Sequence, residues 1–165
     1  MLSESNQYLT FFLSNEEYGV DILKVQGIQS WDKVTPIPNT PDYVLGVINL
    51  RGIIVPILDL RIRFNLPTAD IQRTTVVVIV KVAKGDSSRT VGLVVDAVSD
   101  VYSIEASDVC EAPDFGGTVN ADYVSGLVTI KENMIILLDV DRLVNADLLR
   151  ALGGAAEMGE AIESA

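Results

Sequence analysis

Few side chains in this 165-residue sequence could carry acid–base or nucleophilic chemistry. Histidine is absent, which removes the commonest general base and the commonest metal ligand. Cys110 is the only cysteine, so it can form neither an intrachain disulfide nor a cysteine-based zinc site, and we interpret it as a half-buried packing residue. The sequence also lacks both common glycine-rich phosphate-binding motifs.

Asp59 and Asp139 are the remaining candidates for a catalytic pair. Each follows an apolar run and precedes a short turn of mixed residues, which is where an aspartate caps a helix. A carboxylate-only enzyme would need a raised pKa in a cleft, so capping is the favoured interpretation. A calcium loop starting at Asp139 is excluded, because Leu143 and Val144 occupy positions that require an oxygen ligand and a glycine. The sequence therefore predicts no enzyme, no cofactor and no metal.

The net charge of −11, from 23 acidic and 12 basic residues, limits the kinds of partner. Nucleic acids and anionic lipids are bound through Lys and Arg, so a nucleic-acid-binding barrel is the weaker alternative and direct membrane contact is not expected. No apolar run approaches the roughly 18 residues of a membrane span, and the first basic residue is Lys24, unlike a signal peptide. We expect a cytoplasmic, soluble protein.

The composition favours strands. The 22 valines and 15 isoleucines have β-branched side chains, which pack well on pleated surfaces. Apolar runs joined by short polar turns predict hairpins within 8–22, 45–58, 74–98 and 127–138. In the second of these, Arg51-Gly52 is a two-residue loop in which glycine permits a positive φ.

Three further segments are not predicted to be strands. Prolines at 36, 38 and 41 indicate an extended connection. Residues 146–152 predict a short helix that ends at Gly153-Gly154. The tail, 155–165, carries three glutamates and no basic residue, and is expected to be disordered.

The chain contains an internal repeat. Residues 42–64 and 122–144 match at an offset of 80, with the same Asp-Tyr-Val-x-Gly start and the same Leu-Asp end. A weaker match at an offset of 73 relates Gly19 to Gly92 and Val25 to Val98. Two copies of a unit of about 70 residues, rich in short strands, predict an all-β fold of two small barrels packed together. We place the subdomains at roughly 8–70 and 71–145 of a single domain, with strand exchange between them allowed.

Long segments resemble the CheW family of bacterial chemotaxis coupling proteins. The most specific is 46–61, GVINLRGIIVPILDLR, and the resemblance continues at 16–25, 92–101 and 123–143. It covers about 8–152, nearly the whole chain. The resemblance implies two SH3-like five-stranded barrels around a hydrophobic centre and a non-catalytic adaptor. Such adaptors link the cytoplasmic tip of methyl-accepting chemoreceptors to the regulatory domain of the histidine kinase CheA.

The resemblance also implies a receptor-binding site in the groove between the barrels. Carried over by position, its residues are Val25, Ile28, Gly46, Arg51, Gly52 and Val98. Before the resemblance is considered, the favoured interpretation of Arg51 is a solvated turn residue, with an interface anchor as the alternative. Val25 and Ile28 fit barrel core and a binding surface equally well. Gly27 departs from the family, in which many members have Glu, so partner preference can differ. The pathway stays open, because similar adaptors serve flagellar chemotaxis, twitching motility and second-messenger systems.

Overall fold

Ten strands and two single-turn helices make up the described part of the chain. The computed structural model describes residues 5–31, 34–64, 66, 74–84, 87–111 and 124–144. The strands are β1 Ser5–Leu13, β2 Glu16–Asp21, β3 Val25–Ser30, β4 Val44–Leu50, β5 Ile53–Asp59, β6 Val76–Lys84, β7 Ser87–Val95, β8 Ala97–Glu105, β9 Val124–Ile130 and β10 Asn133–Leu138. Helix α1 spans Leu60–Arg63, helix α2 spans Val140–Leu143, and 3₁₀ turns lie at Ile22–Lys24 and Ala106–Asp108.

The strands form two five-stranded sheets. Sheet 1 has the order β8-β1-β2-β10-β9, and sheet 2 has the order β3-β6-β7-β5-β4. The pairs β2–β10 and β5–β7 are parallel, and the others are antiparallel. The four hairpins predicted from the sequence are all present, as β1–β2, β4–β5, β6–β7 and β9–β10.

Each sheet takes strands from both halves of the chain. Sheet 1 joins β1 and β2 to β8, β9 and β10, whereas sheet 2 joins β6 and β7 to β3, β4 and β5. The chain therefore crosses between sheets twice, at Ile22–Lys24 and at Asp96. We call these segments the first and second crossings. Because of this exchange, the sheets do not divide at residue 70, where the sequence analysis set the boundary between subdomains.

The internal repeat is visible in the backbone. At the offset of 80, the β4–β5 turn, Arg51-Gly52, corresponds to the β9–β10 turn, Lys131-Glu132, and all four residues have φ between 50° and 87°. Both hairpins contain a register shift at the equivalent position of their first strand. It lies between Val44 and Gly46 in β4 and between Val124 and Gly126 in β9. The middle of each hairpin's first strand also forms an isolated bridge, Thr35 with Val47 and Cys110 with Leu127. The two units therefore share their local geometry as well as their sequence.

The core formed by the described residues consists of three apolar clusters. The largest lies between the sheets and includes Phe11, Leu13 and Val20 from sheet 1 with Leu58 and Leu93 from sheet 2. The other two clusters each belong to one sheet, around Ile57 and Ile79 in sheet 2 and around Ile135 and Leu137 in sheet 1. Two filled barrels around a hydrophobic centre, the predicted fold class, are therefore confirmed.

Strands at the centre are buried on both faces. In β6, Val78 and Val80 face the central cluster, while Val77 and Ile79 face the cluster within sheet 2. Successive side chains of a strand point to opposite faces, so burial of both faces requires a continuous apolar run. This explains why β-branched residues occupy 74–82 of the sequence at every position except Lys81.

Two other predictions concern Cys110 and the C-terminal segments. Cys110 is exposed rather than half-buried, because only its main chain is used, in the bridge to Leu127. The predicted helix at 146–152 and the tail at 155–165 lie outside the described residues. Within the described ranges, no helix has the length and apolar character needed to cross a membrane.

Candidate partner-binding site

Asp59 and Asp139 are helix caps, as predicted. Asp59 Oδ1 accepts a hydrogen bond from the backbone N–H of Arg61 at 3.0 Å. Asp139 Oδ1 accepts one from the backbone N–H of Arg142 at 3.1 Å. Both carboxylates also face arginine side chains, with Asp59 2.8 Å from Arg61 Nη2 and Asp139 3.6 Å from Arg142 Nε. Capping and the contacts with arginine account for the placement of both carboxylates.

Arg61 is the centre of a buried ionic cluster. Its Nη2 and Nε bind the two oxygens of Asp59, and its Nη1 lies 3.0 Å from Asp96 Oδ1. The hydrogen bond to Asp59 raises the pKa of Arg61, burial opposes this, and the nearby charges of Asp59 and Asp96 raise it further. The guanidinium is thus held as a cation inside the protein. No group of three or more acidic or cysteine side chains in the described residues could hold a metal ion.

Val25 and Val98, matched in the repeat, occupy equivalent places. Val25 begins β3 directly after the first crossing, and Val98 is the second residue of β8, after the second crossing. Each is half-buried against the central cluster. Val25 lies opposite Val80, and Val98 lies opposite Phe11. The residues across the ladder are both central-cluster members, so the two valines extend this cluster toward the surface at an edge of each sheet.

Ile28 and Gly27 lie on the same edge strand, β3. Ile28 is 47% exposed, and it is the large apolar side chain that β3 presents to solvent. A Cβ added at Gly27 would meet nothing within 4 Å. Neither crowding nor a positive φ therefore demands glycine here. A glycine in an edge strand without such a reason leaves room for a partner to approach closely.

Gly46 has a packing role. It is buried at the register shift of β4, with a φ of 144°, and a Cβ there would lie 2.1 Å from the carbonyl oxygen of Thr35. The two hydrogen bonds between Thr35 and Val47, both 2.9 Å, require this close approach. Gly46 therefore brings the connection after β3 against β4, and any effect on a partner is transmitted through that contact.

Arg51 and Gly52 form an exposed and well-defined turn. Both residues have positive φ, 55° and 87°, which is the geometry of a type I′ turn. The N–H of Gly52 donates a hydrogen bond to Asn49 Oδ1 at 2.8 Å. Ile53 and Ile54 follow at 57% and 53% exposure, so the tip presents a cation beside two apolar side chains. The exposure of Ile53 and Ile54 could not be predicted from the sequence, because an apolar run does not indicate which of its residues extend beyond the barrel.

The equivalent turn of the second unit has a different surface. Lys131, Glu132 and Asn133 stand where the first has Arg51, Gly52 and Ile53. Glu132 adopts a φ of 70°, so the turn itself does not require the glycine found at position 52. Met134 and Ile54 are both exposed apolar residues, which leaves Gly52 and Ile53 as the distinguishing features. Only the first tip, defined as Arg51–Ile54, combines a cation with uncharged, largely apolar neighbours.

The fold and these surfaces define a class of protein. The two interlocked SH3-like barrels expose apolar side chains on their edge strands, at Val25, Ile28 and Val98, which we call the seam. Together with the cationic, apolar hairpin tip, they form a protein-interaction module. The family model described as CheW-like domain matches residues 7–148. The chain belongs to the CheW family and is a scaffold protein of chemotaxis signalling.

Individual relatives agree over most of their length. The chain is 44% identical to the chemotaxis protein CheW of Klebsiella aerogenes, covering 92% of this chain and 89% of that protein. It is 36% identical to the chemotaxis protein CheW of Rhizobium meliloti, covering 82% and 84%. The crystal structure of the scaffolding protein CheW of Thermoanaerobacter tengcongensis matches with a TM-score of 0.76 and 31% identity, over 84% of this chain and 87% of that one.

Proposed function

We propose that this chain couples the cytoplasmic tip of a methyl-accepting chemoreceptor to the regulatory domain of the histidine kinase CheA, in the cytoplasm and without catalysing a reaction. The observation that carries the proposal is the contrast between the two hairpin tips. They share one backbone geometry, yet only the first exposes a cation next to a glycine and two isoleucines. A surface difference that the fold does not require points to binding.

The seam supplies the apolar part of the proposed receptor site. Val25 and Val98 extend the central cluster to the surface, and Ile28 is exposed beside Val25 on the edge strand. One apolar face of a receptor helix fits such a seam, as in other helix-in-groove complexes. Arg51 would then bind a carboxylate or carbonyl group at the rim, with Gly52 leaving the guanidinium accessible. Gly46 would act indirectly, by holding the Thr35 connection in place.

The absence of catalysis is part of the proposal. The two aspartates considered for a catalytic pair are helix caps, and their other contacts are with arginines. A coupling protein needs only to hold two partners together, and many weak contacts in an array raise the overall avidity. Control of kinase activity would therefore come from geometry alone.

The test reconstitutes coupling with purified components. Kinase autophosphorylation is measured with a receptor signalling fragment and CheA, with and without this protein. We expect a change in rate that needs both the protein and the receptor. Arg51→Glu should lower this response by roughly tenfold or more, because a carboxylate would be repelled where a cation was bound.

The second unit provides a matched control. Lys131→Glu makes the same charge reversal at the equivalent turn position, with positive φ in both cases. We expect a coupling response within twofold of the native protein for this variant, and native circular dichroism for both. Equal loss in the two variants would show a general charge effect. Full coupling by a folded Arg51→Glu variant would remove Arg51 from the proposed site.

A further inference from the structure

Two ion pairs fix the segments in which the chain crosses between sheets. In the first crossing, Lys24 Nζ lies 2.7 Å from Asp141 Oδ2, in α2. In the second, Asp96 Oδ1 lies 3.0 Å from Arg61 Nη1, in α1. Each crossing is thus tied to the short helix that ends the hairpin of the sheet it leaves.

The carboxylate of each pair also accepts a backbone N–H. Asp96 Oδ2 accepts from Ser14 at 2.8 Å, just after β1. Asp141 Oδ1 accepts from Ala83 at 2.8 Å, near the end of β6. Strands β1 and β6 open the two units, so both pairs join the same three elements: a crossing, a short helix and the end of a first strand.

The polarity of the two pairs is opposite. Arg61 and Asp141 are equivalent at the offset of 80, so the cation is on the helix in one unit and on the crossing in the other. The helix positions are equivalent, whereas on the crossings Asp96 corresponds to Leu23 at the offset of 73, one residue before Lys24. Each crossing is thus paired with a short helix by opposite charges, in opposite order in the two units.

The first crossing has few other contacts that could hold it. None of the residues of its 3₁₀ turn, Ile22–Lys24, is buried, and the side chain of Leu23 is 81% exposed. Ile22 packs against the central cluster, and two hydrogen bonds complete the local contacts, from the Leu23 N–H to Asp21 Oδ1 and from the Val25 N–H to the carbonyl of Ile22. A partly exposed ion pair adds little to global stability, but it can restrict a short segment in which no residue is fully buried.

Two residues of the proposed partner site follow the crossings closely in the sequence. Val25 follows Lys24 directly, and Val98 comes two residues after Asp96. We infer that the Lys24–Asp141 pair is a positioning pair, which sets the placement of Val25 and the start of β3 for docking without touching the partner. This inference rests on the proposed function for its effect on binding.

The test reverses the pair in the full-length protein. Lys24→Asp and Asp141→Arg are made singly and together, so that the double variant reproduces the arrangement of the second crossing. The double variant thereby keeps one cation and one anion between the first crossing and α2, in reversed order. Amide hydrogen exchange across residues 22–28 reports placement, and affinity for a receptor signalling fragment reports docking.

Each single variant should exchange about tenfold faster at residues 22–28 and bind the receptor fragment about fivefold more weakly, with thermal unfolding close to native. The double variant should restore both quantities to within about twofold.

Lys131→Asp is the control, for which we expect no change in hydrogen exchange at residues 22–28. A double variant as defective as the singles, or singles with native exchange, would overturn the inference. If the native protein does not bind the receptor fragment, the proposed function fails, and the exchange data alone decide the positioning role.

Discussion

Arg61 joins the two sheets through Asp96, with Nη1 3.0 Å from Oδ1 in a largely buried contact. Arg61 belongs to α1, which follows the last strand of its unit in sheet 2, whereas Asp96 also accepts the N–H of Ser14 at the end of β1 in sheet 1. The backbone N–H of Asp96 donates to the carbonyl of Phe12 at 3.0 Å. A single aspartate is therefore bonded to both sheets at the point where the chain passes between them.

Loss of the Arg61 side chain should be strongly destabilising. Arg61→Ala leaves Asp59 and Asp96 without their buried counter-charge, and removing one partner of a buried pair costs about 3–5 kcal/mol. Urea unfolding gives the free energy of unfolding. Arg142→Ala is the control, since that side chain is 68% exposed and 3.6 Å from Asp139, and it should cost less than about 1 kcal/mol. Similar losses in the two variants would contradict the assignment of the buried cluster.

The first hairpin tip should lose binding without losing stability. Ile53→Ser is expected to weaken receptor-fragment binding by about tenfold, because burial of an apolar side chain contributes on the order of 1.5 kcal/mol or more. Isothermal titration calorimetry measures the affinity. Asn133→Ser is made at the equivalent position of the second tip, where no effect is expected. Binding by Ile53→Ser at native strength would limit the docking surface to the seam and Arg51.

Gly46 and Gly27 should respond differently to replacement by alanine. Gly46→Ala would place a Cβ 2.1 Å from the Thr35 carbonyl oxygen at a φ of 144°, so we expect a loss of about 2 kcal/mol or more. Gly27→Ala meets open space, and its stability should be unchanged or higher by about 0.5–1 kcal/mol. Thermal unfolding compares them. An unaffected Gly46→Ala variant would mean that the close approach to Thr35 is not needed.

Unfolding should be a single cooperative transition. Strands β1 and β2 complete a sheet whose other strands come from the second unit, and β6 and β7 do the reverse. Unfolding of either unit therefore removes strands from both sheets. Differential scanning calorimetry should give equal calorimetric and van't Hoff enthalpies. Two resolved transitions would show that the barrels unfold independently despite the exchange.

Features that depend on neighbouring residues could be predicted from the sequence. The hairpins follow from apolar runs and turn residues, and the caps Asp59 and Asp139 follow from their position before a helical turn. The repeat predicted two similar units, and its offset of 73 already paired Val25 with Val98. The opposite charges of Arg61 and Asp141 at the offset of 80 were visible as well, but nothing local assigned them to ion pairs.

Contacts between distant segments could not be predicted in this way. The run at 91–98 reads as one strand, yet β7 ends at Val95 and the chain changes sheets at Asp96. Pairing of β1 and β2 with either unit would bury the same apolar faces, so hydrophobic pattern alone does not choose between them. Gly46 likewise reads as an ordinary strand glycine until Thr35 is brought against it.

The sequence by itself determined an all-β chain of two similar units, without histidine chemistry, and with the CheW-type segments at known positions. The tertiary structure decided which unit completes which sheet, which end of the 45–58 hairpin is exposed, and which charges meet. The physical reason is that strand propensity, turns and caps are set within a few residues. Sheet partners, burial and ion pairs instead depend on atoms that only the folded chain brings together.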